Sequence, residues 1–164
     1  MKNPRPDFQV IFQVLADFEV DFIVVGGVCA VLHGAPISTF DLDLVHSRSF
    51  ENIKRLMKAL NSLDACFRDP LERKLVPKES HLSSPGHQLL MTRAGPLDLL
   101  GEIGHGRDYD RLVDNTVSMQ VAPGLQVAVL DLETLISTKE EAGRDKDKAV
   151  LPILRKTLEE KNKT

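Results

Sequence analysis

Apolar positions recur at helical spacing near the start of the chain: Phe8, Ile11, Phe12, Leu15 and Phe18 fall on one stripe. Pro6-Asp7 supplies a start signal, so an amphipathic helix laid against a sheet is expected. The run Phe22–Val25 (FIVV) is too short for a helix and reads as a buried strand. Gly26-Gly27 ends it, and Val28 to Leu32 forms a short helix. Gly34 suits the left-handed position past that helix, and Pro36 prevents continuation. Ile37-Ser38-Thr39 then leads into a second strand, Asp41–Val45 (DLDLV). Ser49 is placed to cap a helix from Phe50 to Leu63, with Ile53, Leu56, Met57 and Leu60 on one face.

The pattern fades from Cys66 to Pro85, where Pro70, Pro77 and Pro85 punctuate short pieces. Gln88–Thr92 and Leu97–Leu100 flank the turn Arg93–Pro96 and read as a hairpin. A glycine-rich turn, Gly101 to Gly106, and a short piece at Tyr109 to Leu112 follow. Val117–Val121 and Leu125–Val129 flank Ala122-Pro123-Gly124 as a second hairpin. Asp131 caps a helix to about Ala142, Gly143 ends it, and a last helix runs from Asp145 to Leu158. This order predicts an α+β fold: a small mixed β-sheet flanked by helices, with C-terminal helices. One domain over 1–158 and a charged, frayed tail over 159–164 are expected.

Composition narrows the class. The 164 residues are 42% hydrophobic and 27% charged, globular values that allow a real core. A net charge of −3 does not mark a dedicated nucleic-acid binder, although a local basic face is compatible with it. The apolar runs fall far short of the roughly 20 residues that cross a bilayer, so no membrane role is expected. MKNPRPDFQV has no secretory h-region, and Cys29 and Cys66 lack metal-ligand spacing. A cytoplasmic protein with reduced core thiols is the expectation.

The candidate chemistry lies in DLDLV. Residues i and i+2 of a strand share a face, so Asp41 and Asp43 project together while Leu42 and Leu44 turn to the core. Carboxylates held side by side repel unless a cation or proton lies between them. Asp98 stands in the apolar run Leu97–Leu100, where a carboxylate is costly unless paired or bound to a cation. Asp41, Asp43 and Asp98 together suit Mg²⁺ (or Mn²⁺), which takes oxygen ligands and leaves room for substrate phosphates. Gly26 and Gly27, without side chains and opening a helix, would let backbone N–H groups approach phosphate.

Gly26-Gly27, thirteen intervening residues and then Asp41-Leu42-Asp43-Leu44 resemble the signature of the nucleotidyltransferase superfamily, the polymerase-beta-like fold. Asp98 within Pro96–Leu100 matches that family's third carboxylate. The flanks His33-Gly34 and Ser38-Thr39 resemble the bacterial subgroup that includes AbiEii-type toxins of type IV toxin–antitoxin systems. So does the late helical motif of Leu132–Ile136 followed by Lys139, Ala142, Gly143, Arg144, Lys146 and Asp147. The resemblance runs from about Val20 to Leu154. It implies transfer of a nucleoside monophosphate from an NTP to a hydroxyl acceptor, an RNA, a protein or a small molecule. It also implies Asp41 and Asp43 as metal ligands, with Asp98 as third ligand or base. Gly26, Gly27 and Ser38 would cradle the triphosphate, and Lys139 and Arg144 would contact phosphate or acceptor. An antitoxin or a second copy of the chain would be the protein partner.

Two positions depart from that pattern. Ile37 stands where the subgroup commonly has a basic residue, and Lys148-Ala149 follow Asp147 where a further acidic residue is usual. The alternative is therefore a nucleotidyltransferase-fold binding or regulatory protein with weak or no turnover. Lys139 and Arg144 have a second reading as solvated helix charges paired with Glu140, Glu141 or Asp145. Among the histidines, His33 fits a helix end, His46 is expected to face solvent, and His81, His87 and His105 are expected in loops. Arg93 and Arg107 read as loop arginines.

Overall fold

A computed structural model describes residues 6–163; the first five residues of the expected domain and Thr164 of the expected tail lie outside them. Helix α1 (Phe8–Asp17) begins where Asp7 accepts a hydrogen bond from the Val10 amide, and it buries Ile11, Phe12 and Leu15 as the spacing predicts. Strand β1 (Phe22–Val25) runs directly into helix α2 (Gly26–Leu32), so the two glycines open the helix rather than precede it. Strand β2 (Leu42–His46) starts one residue after Asp41. Helix α3 (Phe50–Ser62) is capped by Ser49, whose Oγ accepts from the Asn52 amide.

The stretch without periodicity holds β3 (Cys66–Phe67) and a one-turn α4 (Glu79–Ser83). Strands β4 (His87–Thr92) and β5 (Gly95–Leu100) form the expected hairpin, closed by Arg93-Ala94. A short α5 (Tyr109–Leu112) precedes the hairpin of β6 (Thr116–Ala122) and β7 (Leu125–Leu130). Helix α6 (Leu132–Ala142) is capped by Asp131 and ends at Gly143 in the left-handed conformation, φ +61°. Helix α7 (Asp145–Asn162) continues one turn beyond Leu158.

The seven strands of the described residues form one mixed sheet in the order β3-β4-β5-β2-β1-β7-β6. Strand β1 pairs antiparallel with β2 and parallel with β7, and β2 pairs parallel with β5. The parallel pairings require long crossovers, supplied by the segments carrying α3 to β4 and α2 to β6. Leu42 and Leu44 of β2 align with Leu97 and Leu99 of β5 on one fully buried face. Alternation turns Asp43 and Asp98 to the other face.

Strands β1 and β2 are tied together by Asn52, which is fully buried. Its side chain accepts from the Asp21 amide at 2.7 Å and donates to Asp21 O and Ser47 O at 3.0 and 2.7 Å. One side chain thereby fixes the entry to β1 and the exit from β2. His46, expected in solvent, is 1% exposed instead, and its Nε2 donates to Leu82 O (2.8 Å). The reason is its place on a central strand that α4 covers. No helix of the described residues is long and apolar enough to cross a membrane.

Candidate active site

The site is built by register. Asp43 on β2 faces Asp98 on β5 as a parallel Cα pair, and Val25 at the end of β1 faces Asp43 from the other side. Asp41 stands just before β2, held by a bend in which Thr39 Oγ1 donates to the Asp41 carbonyl at 3.1 Å. One carboxylate oxygen from each of Asp41, Asp43 and Asp98 lies within 4.8 Å of the others. Asp43 Oδ1 is buried with no hydrogen-bond partner, and Asp98 Oδ1 is buried with the Arg68 guanidinium beside it. Buried oxygens are nearly always satisfied, so Asp43 Oδ1 calls for a proton or a cation. Three hard oxygen donors at such separations fit a divalent cation.

The electrostatics say the same. Burial, then the charges of Asp41 and Asp98, push the Asp43 carboxyl up to about 7, and Lys139 offsets this in part. Asp98 is raised as well, by burial first, with Arg68 opposing and Asp41 adding. Arg68 Nη2 lies 2.8 Å from Asp98 Oδ1, an ion pair that neutralises charge without giving that oxygen an aligned donor.

The carboxylates line a cleft of about 610 Å³. Its opposite wall comes from α6 and the start of α7, and it carries Lys139, Arg144, Lys146 and Asp147. Lys139 and Arg144 do not pair with Glu140, Glu141 or Asp145. Both engage Asp147, which is fully buried: Lys139 Nζ donates at 3.3 Å and Arg144 Nε at 2.7 Å. Glu140 pairs with Arg155, and Glu141 with Arg107. Arg144 is also the N-cap of α7, and its amide donates to Asp147 Oδ2, so the junction of the two helices fixes the cations at the lip.

Of the predicted residues, Asp41, Asp43, Asp98, Gly26, Lys139 and Arg144 meet in this cleft. Gly27 and Ser38 do not line it. Both glycines have an internal reason to lack a side chain. A Cβ on Gly26 would press on Asp43, and one on Gly27 would come within 2.7 Å of Thr39 Oγ1. Sequence reasoning missed Arg68, because its segment has no periodicity, and His87 and Glu102, which also line the cleft. His87 belongs to β4, not to a loop. Asp147 was visible in the late motif, but only as one acidic residue in a charged helix.

No protein-family model matches the chain, and a comparison with curated proteins gives no significant match. Among solved structures it is similar to the crystal structure of a Thermotoga maritima protein provisionally assigned as a nucleotidyltransferase. The TM-score is 0.57 over 93% of this chain and 91% of that one, at 17% identity. The fold is nucleotidyltransferase-like. At that identity the likeness is one of architecture, and any role for the side chains rests on their own geometry.

Proposed function

We propose that this chain is a divalent-cation-dependent nucleotidyltransferase that moves a nucleoside monophosphate from an NTP to a hydroxyl acceptor. One observation carries the reading: the three-carboxylate cluster, with Asp43 Oδ1 buried and unpartnered, on the floor of a cleft whose lip bears Lys139 and Arg144. The cation, Mg²⁺ or Mn²⁺, supplies charge neutralisation at the triphosphate. Asp41 and Asp43 would hold it, with Asp98 as the third ligand or as the base that takes the proton of the acceptor hydroxyl. The acceptor oxygen then bonds to the α-phosphorus as the bond to pyrophosphate breaks. Lys139 and Arg144 meet the phosphate oxygens, and their anchoring on Asp147 spares the cost of ordering them at that moment.

The test is label transfer. The protein is incubated with each α-labelled NTP, Mg²⁺ or Mn²⁺, and an RNA or metabolite pool, beside Asp41→Asn. Labelled product that the variant lacks supports the reading, and its absence with every NTP overturns it. The same experiment reads the acceptor. Labelled RNA, with growth arrest relieved by a co-expressed partner, would support the AbiEii-type toxin version; a labelled metabolite would oppose it. One observation favours the second reading, a binding protein without turnover: both lip cations are already engaged by Asp147. NTP binding without transfer would establish that reading.

A further inference from the structure

Arg68 follows β3 in the stretch where the sequence shows no regular pattern, yet the fold delivers its guanidinium to the carboxylates. Its amide donates to Leu89 O at 3.0 Å, its Nη1 donates to Leu90 O at 2.8 Å, and its Nη2 stands 2.8 Å from Asp98 Oδ1. The side chain remains 31% exposed and lines the cleft. Among the described residues it makes the ion pair to the three-carboxylate cluster, since Lys139 is bonded to Asp147.

That placement has two consequences. A divalent cation drawn to Asp98 meets the guanidinium already on the same oxygen, and two cations at one carboxylate repel. Once the carboxylate is taken, the bond from Nη1 to Leu90 O still holds the guanidinium at the wall of the cleft. A planar fork held at one prong is suited to a phosphate oxygen at the other. We propose that Arg68 is a resident counter-cation that competes with the metal for Asp98 and, once displaced, binds the triphosphate. Metal and nucleotide binding are thereby coupled through one side chain. The identity of the phosphate ligand rests on the nucleotidyl-transfer reading; the competition with metal does not.

The test titrates Mn²⁺ against wild type, Arg68→Met and Arg68→Lys by electron paramagnetic resonance, with and without a non-hydrolysable ATP analogue. Circular dichroism confirms the fold, and Arg68→Gln replaces the Met variant should that fail to fold. With Mn²⁺ alone, Arg68→Met binds more tightly, on the order of tenfold. Its affinity for the analogue falls by a similar factor. Arg68→Lys restores metal affinity toward wild type, because it keeps the charge, but not analogue affinity, because it lacks the fork. Equal or weaker Mn²⁺ binding by Arg68→Met overturns the proposal, as does tighter metal binding with analogue affinity unchanged. If wild type binds no analogue while Arg68→Met still gains Mn²⁺ affinity, the competition stands and it is the nucleotidyl-transfer reading that fails, taking the handover with it.

Discussion

The backbone of Gly26 lies against the carboxylate of Asp43 so closely that a Cβ on Gly26 would stand 2.9 Å from both Cβ and Cγ of Asp43. Gly26 also holds φ at +67°, a conformation that disfavours side chains on its own account. The first residue of α2 and the central carboxylate of β2 therefore share one volume.

Gly26→Ala is expected to cost about 2–3 kcal/mol in strain and displacement. It should also weaken Mn²⁺ binding, because Asp43 must move. Gly34→Ala is the control: Gly34 has φ +98° but open space around it, so strain alone applies, about 1–2 kcal/mol, with metal affinity unchanged. Thermal melting and Mn²⁺ titration of the two variants separate the effects. Equal metal affinity in the two variants would show that the added Cβ does not displace the Asp43 carboxylate.

Asp43 sets a pH dependence of opposite sign to that of most carboxylates. Its value in the folded protein, about 7, lies above the ordinary 3.8, so the fold retains a proton that the unfolded chain releases. The stability this contributes is complete below the ordinary value and is lost as pH rises toward 7. Asp98 moves in the same direction, so the loss belongs to the cluster. After chelation, Asp43→Asn should become more stable relative to wild type as pH rises from about 4 to 8. Saturating Mg²⁺ should reverse that advantage, since the cation replaces the proton in wild type and has fewer ligands in the variant. A variant-minus-wild-type difference that stays flat across this range would remove the electrostatic case for the site.

Much of this was legible in the chain. The Asp41–Asp43 pair and the phase of Leu42 and Leu44 follow from period-2 alternation, which depends only on local geometry, and Asp98 stands out as a carboxylate in an apolar run. That Asp98 joins Asp41 and Asp43 is expected from the carboxylate chemistry and the resemblance, but the parallel register of β2 with β5 that seats it beside Asp43 is a long-range choice no local pattern shows. Arg68 was invisible for a related reason: β3 is two residues long, and its place comes from pairing with β4 rather than from its own pattern. The expectation that His46 faces solvent failed because alternation assigns a face and not what covers it.

Glu141 tethers the loop that forms one rim of the cleft. It accepts from the His105 amide at 2.9 Å and from Arg107 Nε at 3.1 Å, while Glu102, Ile103 and Gly104 line the cleft itself. Arg107 holds its carboxyl below the usual range, so this tether is present above that range and is lost as pH falls. Glu141→Gln should speed amide exchange across 102–107 and raise the Kd for NTP several-fold with the global melting temperature nearly unchanged. Unaltered exchange would mean that the isolated bridge between Ile103 and Arg107 holds the loop without Glu141.

Asp147 is the residue on which the two lip cations depend. Burial raises its carboxyl, but Arg144 and Lys139 more than offset this, so it lies below the ordinary value. Its contribution is therefore present above that value and lost as pH falls through the lowered one. Asp147→Asn leaves Lys139 and Arg144 without their counter-charge. Breaking a buried pair costs about 3–5 kcal/mol, and the partial exposure of both cations brings the expectation to about 2–3 kcal/mol at pH 7. The deficit should shrink as pH falls toward 3, where wild type also loses the charge. Lys139→Met should cost less stability, because Arg144 still satisfies Asp147 through two side-chain nitrogens. It should nonetheless lower label transfer on the order of a hundredfold, as loss of a phosphate contact does. Urea denaturation at two pH values, with transfer assays on both variants, resolves the two roles. If Lys139→Met loses stability as Asp147→Asn does but keeps full transfer, Lys139 is a structural counter-ion of Asp147, and the phosphate contacts at the lip fall to Arg144 alone.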